Sequence, residues 1–317
     1  MKNDGGGPDG FVPVPVALTA LDALMLLMVL IWGTNFSLVK VALRDFPEMA
    51  FNAMRMLTSA IVFVAVIASS RTRPSFSRGD WIRLTLLGIV GTFLYQFMFV
   101  GGLKRTSAGN ASLIIGASPI LIALMSSLAG HERVAPRKWF GVALGFAGLY
   151  FVVGHRADWS AASLTGDGMV IAGMGFWATY SVAAQPLLKR YSPLAVTGTS
   201  FSIGAALYLL FTAPVLVTID WPSISGASWV LMFLSAVLAL NVSYVIWYTG
   251  LQKLGATRTS MYSYLTPIVA MIVAAFWIGE PVSGNQMIGA GAILTGLVIT
   301  RFEIGRASCR ERVCTLV

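Results

Sequence analysis

The stretch GLKRTSAGNASLIIGASPI, residues 102–120, recurs as GLQKLGATRTSMYSYLTPI, residues 250–268. At an offset of 148, Gly102-Leu103 falls on Gly250-Leu251, Ala108 on Ala256, Ser112 on Ser260 and Pro119-Ile120 on Pro267-Ile268. The match continues with Glu132 on Glu280, Val134 on Val282, Gly141 on Gly289 and Gly148-Leu149 on Gly296-Leu297. That makes 11 identities in 48 ungapped positions. An apolar-rich chain gives about four by chance, so the repeat is real and comes before any fold assignment. Each copy reads as two apolar spans joined by a tight Glu-x-Val turn.

The 317 residues are 56% hydrophobic and only 11% charged. Soluble domains carry about 25% charged residues. Apolar runs near 20 residues recur along the whole chain, the length that matches a hydrocarbon layer of about 30 Å. The chain is therefore expected to be an all-α integral membrane protein. The net charge of +9 does not point to nucleic acid. Basic residues gather in the cytoplasmic loops of membrane proteins, and their placement here follows that rule. The two cysteines, Cys309 and Cys314, fall in the last nine residues, which leaves no disulfide framework or cysteine metal site in the apolar body.

Residues 1–18, with Gly5-Gly6-Gly7, prolines and aspartates, read as a disordered tail. Ten spans follow, at about Leu21–Ala42, Ala50–Ser69, Trp81–Val100, Asn110–Leu128, Trp139–Val153, Gly168–Leu188, Leu194–Val217, Trp229–Leu251, Thr259–Ile278 and Asn285–Thr300. They divide into a first five-helix repeat over residues 19–154 and a second over 167–301. The arginine-rich end, 305–317, resembles translated vector sequence and is set aside.

Loops after the even-numbered spans carry Arg71, Arg73, Arg78, Arg83, Arg133, Arg137, Lys138, Lys189, Arg190, Lys253 and Arg258. The other side carries Lys40, Arg44, Lys104, Arg105 and Arg156. The richer side is expected to be cytoplasmic, with both termini. Five spans per copy is an odd number, so the second copy enters the membrane from the opposite side. Ten transmembrane helices as two inverted five-helix repeats are thus expected, an arrangement that opens a central site alternately to each face.

The residues Trp32-Gly33-Thr34-Asn35-Phe36, Arg55, Gly102-Leu103 through Ala108, Pro119 and Glu132-x-Val134, with their second-copy counterparts and Glu280-Pro281-Val282, are similar to the drug/metabolite transporter superfamily. Within it the chain resembles the ten-span EamA-type exporters, over about Leu21 to Arg301. The resemblance implies a bacterial inner-membrane carrier that exports amino acids or related small metabolites. The second copy departs from it: Trp177-Ala178-Thr179-Tyr180 stands where Trp-Gly-x-Asn would be.

Polar groups within spans are costly and tend to face a cavity. Arg55 is the one charge clearly inside a span. It either supports the cavity or attracts a substrate carboxylate, or else it reaches back to the outer interface along its apolar stem. Trp32 and Asn35 share a helix face, and Trp177 and Tyr180 repeat the spacing. Tyr244, Trp247 and Tyr248 form a stripe; Gln96 falls on Tyr244 at the offset, and Tyr264 replaces Gly116. Aromatic faces with scattered amides suit an amphipathic small molecule, although each residue alone also reads as core or interfacial packing. Pro119 and Pro267 lie mid-span and are hinge candidates, or fixed kinks. Gly141, Gly145, Gly148, Gly289 and Gly296 allow close helix packing. His131 and His155 fall in loops on opposite sides, so no metal pair is expected, and neither is a cofactor or catalytic residue.

A membrane enzyme needs nucleophile, base or ligands at one depth, and the spans supply none. Nothing resembles a channel's selectivity filter. The competing carrier reading is a drug or toxic-compound efflux protein, proton-coupled through a further site. Its relatives' membrane-embedded glutamate is missing from span one. The expected partners are a small-molecule substrate, the lipid bilayer and at most a second copy, as monomer or homodimer.

Overall fold

The computed structural model describes residues 19–70, 74–130, 144, 147, 161–292, 294 and 295. The first copy supplies α1 (Ala20–Ala42), α2 (Glu48–Ser69), α3 (Arg78–Arg105) and α4 (Ala108–Leu128). The second supplies α5 (Ala161–Ala183), α6 (Pro193–Leu216), α7 (Gly226–Leu254), α8 (Ala256–Ser263) and α9 (Thr266–Ile278). Residues 284–292 are helical as well. Among the described residues six helices, α1 to α4, α6 and α7, are long and apolar enough to cross a membrane. Leu30, Ile61, Leu210, Val230 and Phe276 lie exposed on the outside, an apolar surface of the kind that meets lipid.

Starts are set by local chemistry. Thr19 accepts from the Asp22 amide while Asp22 accepts from the Thr19 amide at 2.8 Å, a reciprocal cap on α1. Ser77, Ser107, Ser192 and Ser225 cap α3, α4, α6 and α7. Helix starts also refine the register of the duplication. Glu48 and Pro193 are 145 apart, whereas Arg78 and Gly226, and Ala108 and Ala256, are 148 apart. The second copy thus carries three more residues between the starts of its second and third helices.

Two irregularities are duplicated with the sequence. Residues 89–94 of α3 and 235–242 of α7 are π-helical. α4 is interrupted at Ala117 and restarts at Ser118-Pro119; α8 gives way to α9, which restarts at Thr266-Pro267. Proline has no N–H to lose in a first turn and its φ suits one, so each proline opens a half-helix rather than distorting a continuous one. The first half of α4 packs against α9 and its second half against α8, so the two broken helices run antiparallel. At their crossing, a Cβ on Gly116 would stand 2.4 Å from Pro267 Cγ.

The copies are interwoven. α2 packs on α6 and on the π-helical stretch of α7; α6 packs on α3; the second half of α3 packs on α5; α1 packs on α7. Ser59 Oγ donates to the Ala236 carbonyl at 3.0 Å and Asn241 Nδ2 to the Ser59 carbonyl at 3.0 Å. The equivalent crossing of α6 and α3 uses glycines: a Cβ on Gly204 would stand 2.3 Å from the Gly88 carbonyl oxygen.

Both ends are closed by side chains reaching backbone carbonyls. Where α1 and α3 end, Lys40 donates to the Leu103 and Thr106 carbonyls and Lys104 donates to the Leu43 carbonyl. At the opposite end, Gln252 donates to the Leu188 carbonyl at 2.8 Å and to that of Tyr191 at 3.3 Å. Gln252 is the counterpart of Lys104, and Leu188 of Leu43. The loop ends pair off similarly: Asp45 accepts from the Ser225 amide at 3.1 Å and from the Ser228 hydroxyl, whereas Arg190 meets Asp80. The hydrogen bond from Ser228, then that from Ser225, holds the Asp45 carboxyl below its usual pKa.

Several spans are longer than hydropathy indicates: the third expected span, Trp81–Val100, is part of Arg78–Arg105, and the eighth, Trp229–Leu251, part of Gly226–Leu254. Charge ends an apolar run but not helical hydrogen bonding, and Lys104, Arg105 and Lys253 stay helical. The longer helices also bring two buried carboxylates inside helix ends, contrary to expectation. Asp80 is held by Arg190 and Tyr191, and Asp167 accepts from the Thr106 hydroxyl. The fifth span apart from Leu144 and Ala147, with Gly141, Gly145, Gly148, Gly296, His131 and His155, lies outside the described residues, as do the tails 1–18 and 305–317.

Candidate substrate cavity

A small cavity of about 50 Å³ lies at the meeting of the two copies, inside a looser region of about 580 Å³ that includes its open mouth. Six residues singled out in the sequence line it: Trp32, Asn35, Arg55, Gln96, Trp177 and Tyr244. Trp32 and Trp177, equivalent at 145, meet edge to face with centroids 5.6 Å apart. Gln96 and Tyr244, equivalent at 148, are joined by a 3.1 Å hydrogen bond from the amide nitrogen to the phenol oxygen. Corresponding side chains of the two copies therefore touch at the cavity wall. Trp177 also stacks on Tyr244, centroids 5.3 Å apart and planes at 23°.

The duplicated π-helical stretch positions one wall. A π turn displaces the ladder and frees carbonyls for other donors. Trp32 Nε1 uses one, donating to the Ala239 carbonyl at 3.1 Å. Ser235, at the start of that stretch, donates to Asn35 Oδ1 at 2.6 Å and accepts from Arg55 Nη1 at 3.1 Å. Arg55 Nη2 donates to Asn52 Oδ1 at 3.0 Å and to Gln96 Oε1.

Arg55 is fully buried, at 0% exposure, so it does not reach back to an interface. Its guanidinium lies over the Phe51 ring, 5.5 Å from the centroid. All its hydrogen-bond partners are neutral, and among the described residues no carboxylate pairs with it. Its Nε is buried without a partner, as is the hydroxyl of Thr266, another lining residue.

The other four expected cavity residues stand elsewhere. Trp247 packs behind Trp32 and Trp177, at 5.5 Å from each. Tyr180 and Tyr248 meet at 5.1 Å in the layer behind, where the Tyr180 hydroxyl pairs with Ser200 at 2.8 Å. Tyr264 packs with Leu113 and Ala290 in a separate small cluster. Helical spacing puts a residue on a face; it does not give the depth at which that face is covered.

The sequence reading missed Tyr95, Ile115, Ser118, Ser263 and Thr266 in the lining, which also holds Phe36 of the first-span motif and Phe99, the counterpart of Trp247 at 148. The duplication carried a signal for some of them. Ile115 and Ser263, and Ser118 and Thr266, are equivalent at 148, just as Gln96 and Tyr244 are. Tyr95 adjoins a chosen residue and carried no signal apart from that.

A duplicated bundle of membrane-length apolar helices around a partly polar cavity defines a multi-pass membrane transporter. The chain belongs to the EamA-like transporter family, whose model matches it twice, over residues 20–154 and 164–302. An "Uncharacterized transporter" of Archaeoglobus fulgidus is 30% identical, covering 87% of this chain and 96% of its own length. A "Probable amino-acid metabolite efflux pump" of Escherichia coli is 26% identical over 89% of this chain and 94% of its own length. A crystal structure aligns with a TM-score of 0.67 at 21% identity, covering 92% of this chain and 99% of that one, a likeness of fold.

Proposed function

We propose that this transporter exports amino acids or related small metabolites across a bacterial inner membrane by alternating access between two inverted five-helix repeats, ten spans in all. Both termini lie in the cytoplasm on this reading. The single observation that carries it is contact between equivalent residues: Gln96 with Tyr244 and Trp32 with Trp177 meet across the cavity wall. The antiparallel crossing of α4 with α8 and α9 supports the inversion. Antiparallel partners can exchange roles, and the exchange moves the opening from one face to the other. The name of the Escherichia coli relative supports the substrate class.

The lining suits such a cargo. Trp32, Trp177 and Tyr244 offer apolar faces, while Gln96, Asn35 and Arg55 offer oriented polar groups. The purified protein in liposomes, tested by counterflow of labelled amino acids and their keto and acyl derivatives, tests the reading. At least one member is expected to exchange, with a rate reduced about tenfold or more in Trp177→Ala. Counterflow absent for every member refutes it.

A further inference from the structure

The cavity contains a charge that nothing among the described residues balances. Arg55 is buried, bonded only to Ser235, Asn52 and Gln96, and has an unpartnered Nε. Six of the seven described carboxylates are engaged at the helix ends: Asp22 with Thr19 and Tyr262, Asp45 with Ser225 and Ser228, Glu48 with Arg105, Asp80 with Arg190, Asp167 with Thr106, and Glu280 with the Ala108 and Gly109 amides; the seventh, Asp220, lies exposed in the loop before α7. By equivalence the second copy has Ser200 where the first has Arg55, so the duplication does not supply a second charge of either sign. An ion of one sign in a low-dielectric site is stabilised by an opposite charge brought to it. A zwitterion leaves the occupied site at net +1; a monoanion makes it neutral.

We propose that the cargo crosses as a monoanion, an apolar or aromatic carboxylate lacking a free ammonium, and that the membrane potential drives its exit. This rests on the carrier reading above and narrows its substrate class. The carboxylate pairs with the Arg55 guanidinium, and the ring or alkyl group lies against Trp32, Trp177 and Tyr244. Among the described residues the cavity lining offers no carboxylate to hold an ammonium, and none to exchange a proton with the cargo. Each cycle then carries one negative charge outward and no co-ion. A potential negative inside favours that movement by about 2.3 kcal/mol per 100 mV, roughly fifty-fold in the equilibrium ratio.

The test uses the full chain in liposomes, a potassium gradient with valinomycin to set the potential, and two labelled probes. Phenylpyruvate and phenylalanine share a ring and differ in net charge, −1 against 0. Phenylpyruvate is expected to move faster, and to distribute towards roughly fifty-fold excess on the positive side at 100 mV. Trp and Tyr faces attract cations as well, and the phenylalanine arm registers that: faster movement of phenylalanine overturns the proposal. Movement of phenylpyruvate that ignores the potential also overturns it and leaves the carrier reading standing. Counterflow absent for both probes and for the wider screen overturns both. Arg55→Lys, which keeps the charge, is expected to retain the preference for phenylpyruvate, and Arg55→Gln to lose it by about tenfold or more. Equal preference in wild type and in a folded Arg55→Gln sinks the assignment.

Discussion

Gly204 shows how little room single residues have in this molecule. Its missing side chain lets α6 lie on α3, and a Cβ would stand 2.3 Å from a carbonyl oxygen of that neighbour. Gly204→Ala is expected to destabilise by about 1–3 kcal/mol, the usual cost of forcing atoms into a packed crossing, read as a lower melting temperature in detergent. A wild-type melting temperature would mean the helices separate freely there. Ser225→Ala removes the cap of α7 and is expected to cost about 1 kcal/mol. Asp45 adds a pH dependence. Its folded pKa lies below the unfolded value, so its contribution is complete above the ordinary carboxylate pKa of about 3.9 and is lost as pH falls through the lowered value. The difference in melting temperature between wild type and Asp45→Asn should therefore shrink on acidification. Arg55 was legible in the sequence as a charge amid apolar residues. Its burial was not, because that depends on Asn52, Gln96 and Ser235, which belong to three different helices.

The broken helices carry the clearest mechanical expectation. Pro119 and Pro267 open half-helices at the breaks where α4 meets α8 and α9 beside the cavity. If the breaks flex during exchange, Pro119→Ala and Pro267→Ala will slow counterflow several-fold while leaving half-saturation unchanged. Unchanged rates remove the hinge. Sequence reading found these prolines and the pairing of their spans, because proline and hydropathy are local signals. It did not find the π-helical stretches at 89–94 and 235–242, since no residue type enforces a π turn. Nor did it separate the lining from the layer behind. Trp247 and Tyr248 share a stripe with Tyr244, but neighbouring rings cover them.

For the whole molecule, the duplication pointed to a doubled helical membrane bundle, and the distribution of Lys and Arg gave an expected orientation. Reporter fusions at successive loops should alternate sides, with both ends in the cytoplasm; two halves of the same sense would exclude alternating access as described here. The interweaving of the copies was invisible in sequence, because a repeat states that two units are alike and not how they embrace. Their likeness is also incomplete where it bears on motion. Lys104 and Gln252 do the same work at opposite ends, and only one of them is ionic. Parting an ammonium from its carbonyl releases it to water that hydrates it strongly; parting an amide releases much less. If these two ends open in turn, as proposed, the doors of this corridor have unequal springs and the empty protein is expected to rest with a lean, which Gln252→Lys should bring closer to upright, read as labelling of the two ends by an impermeant reagent.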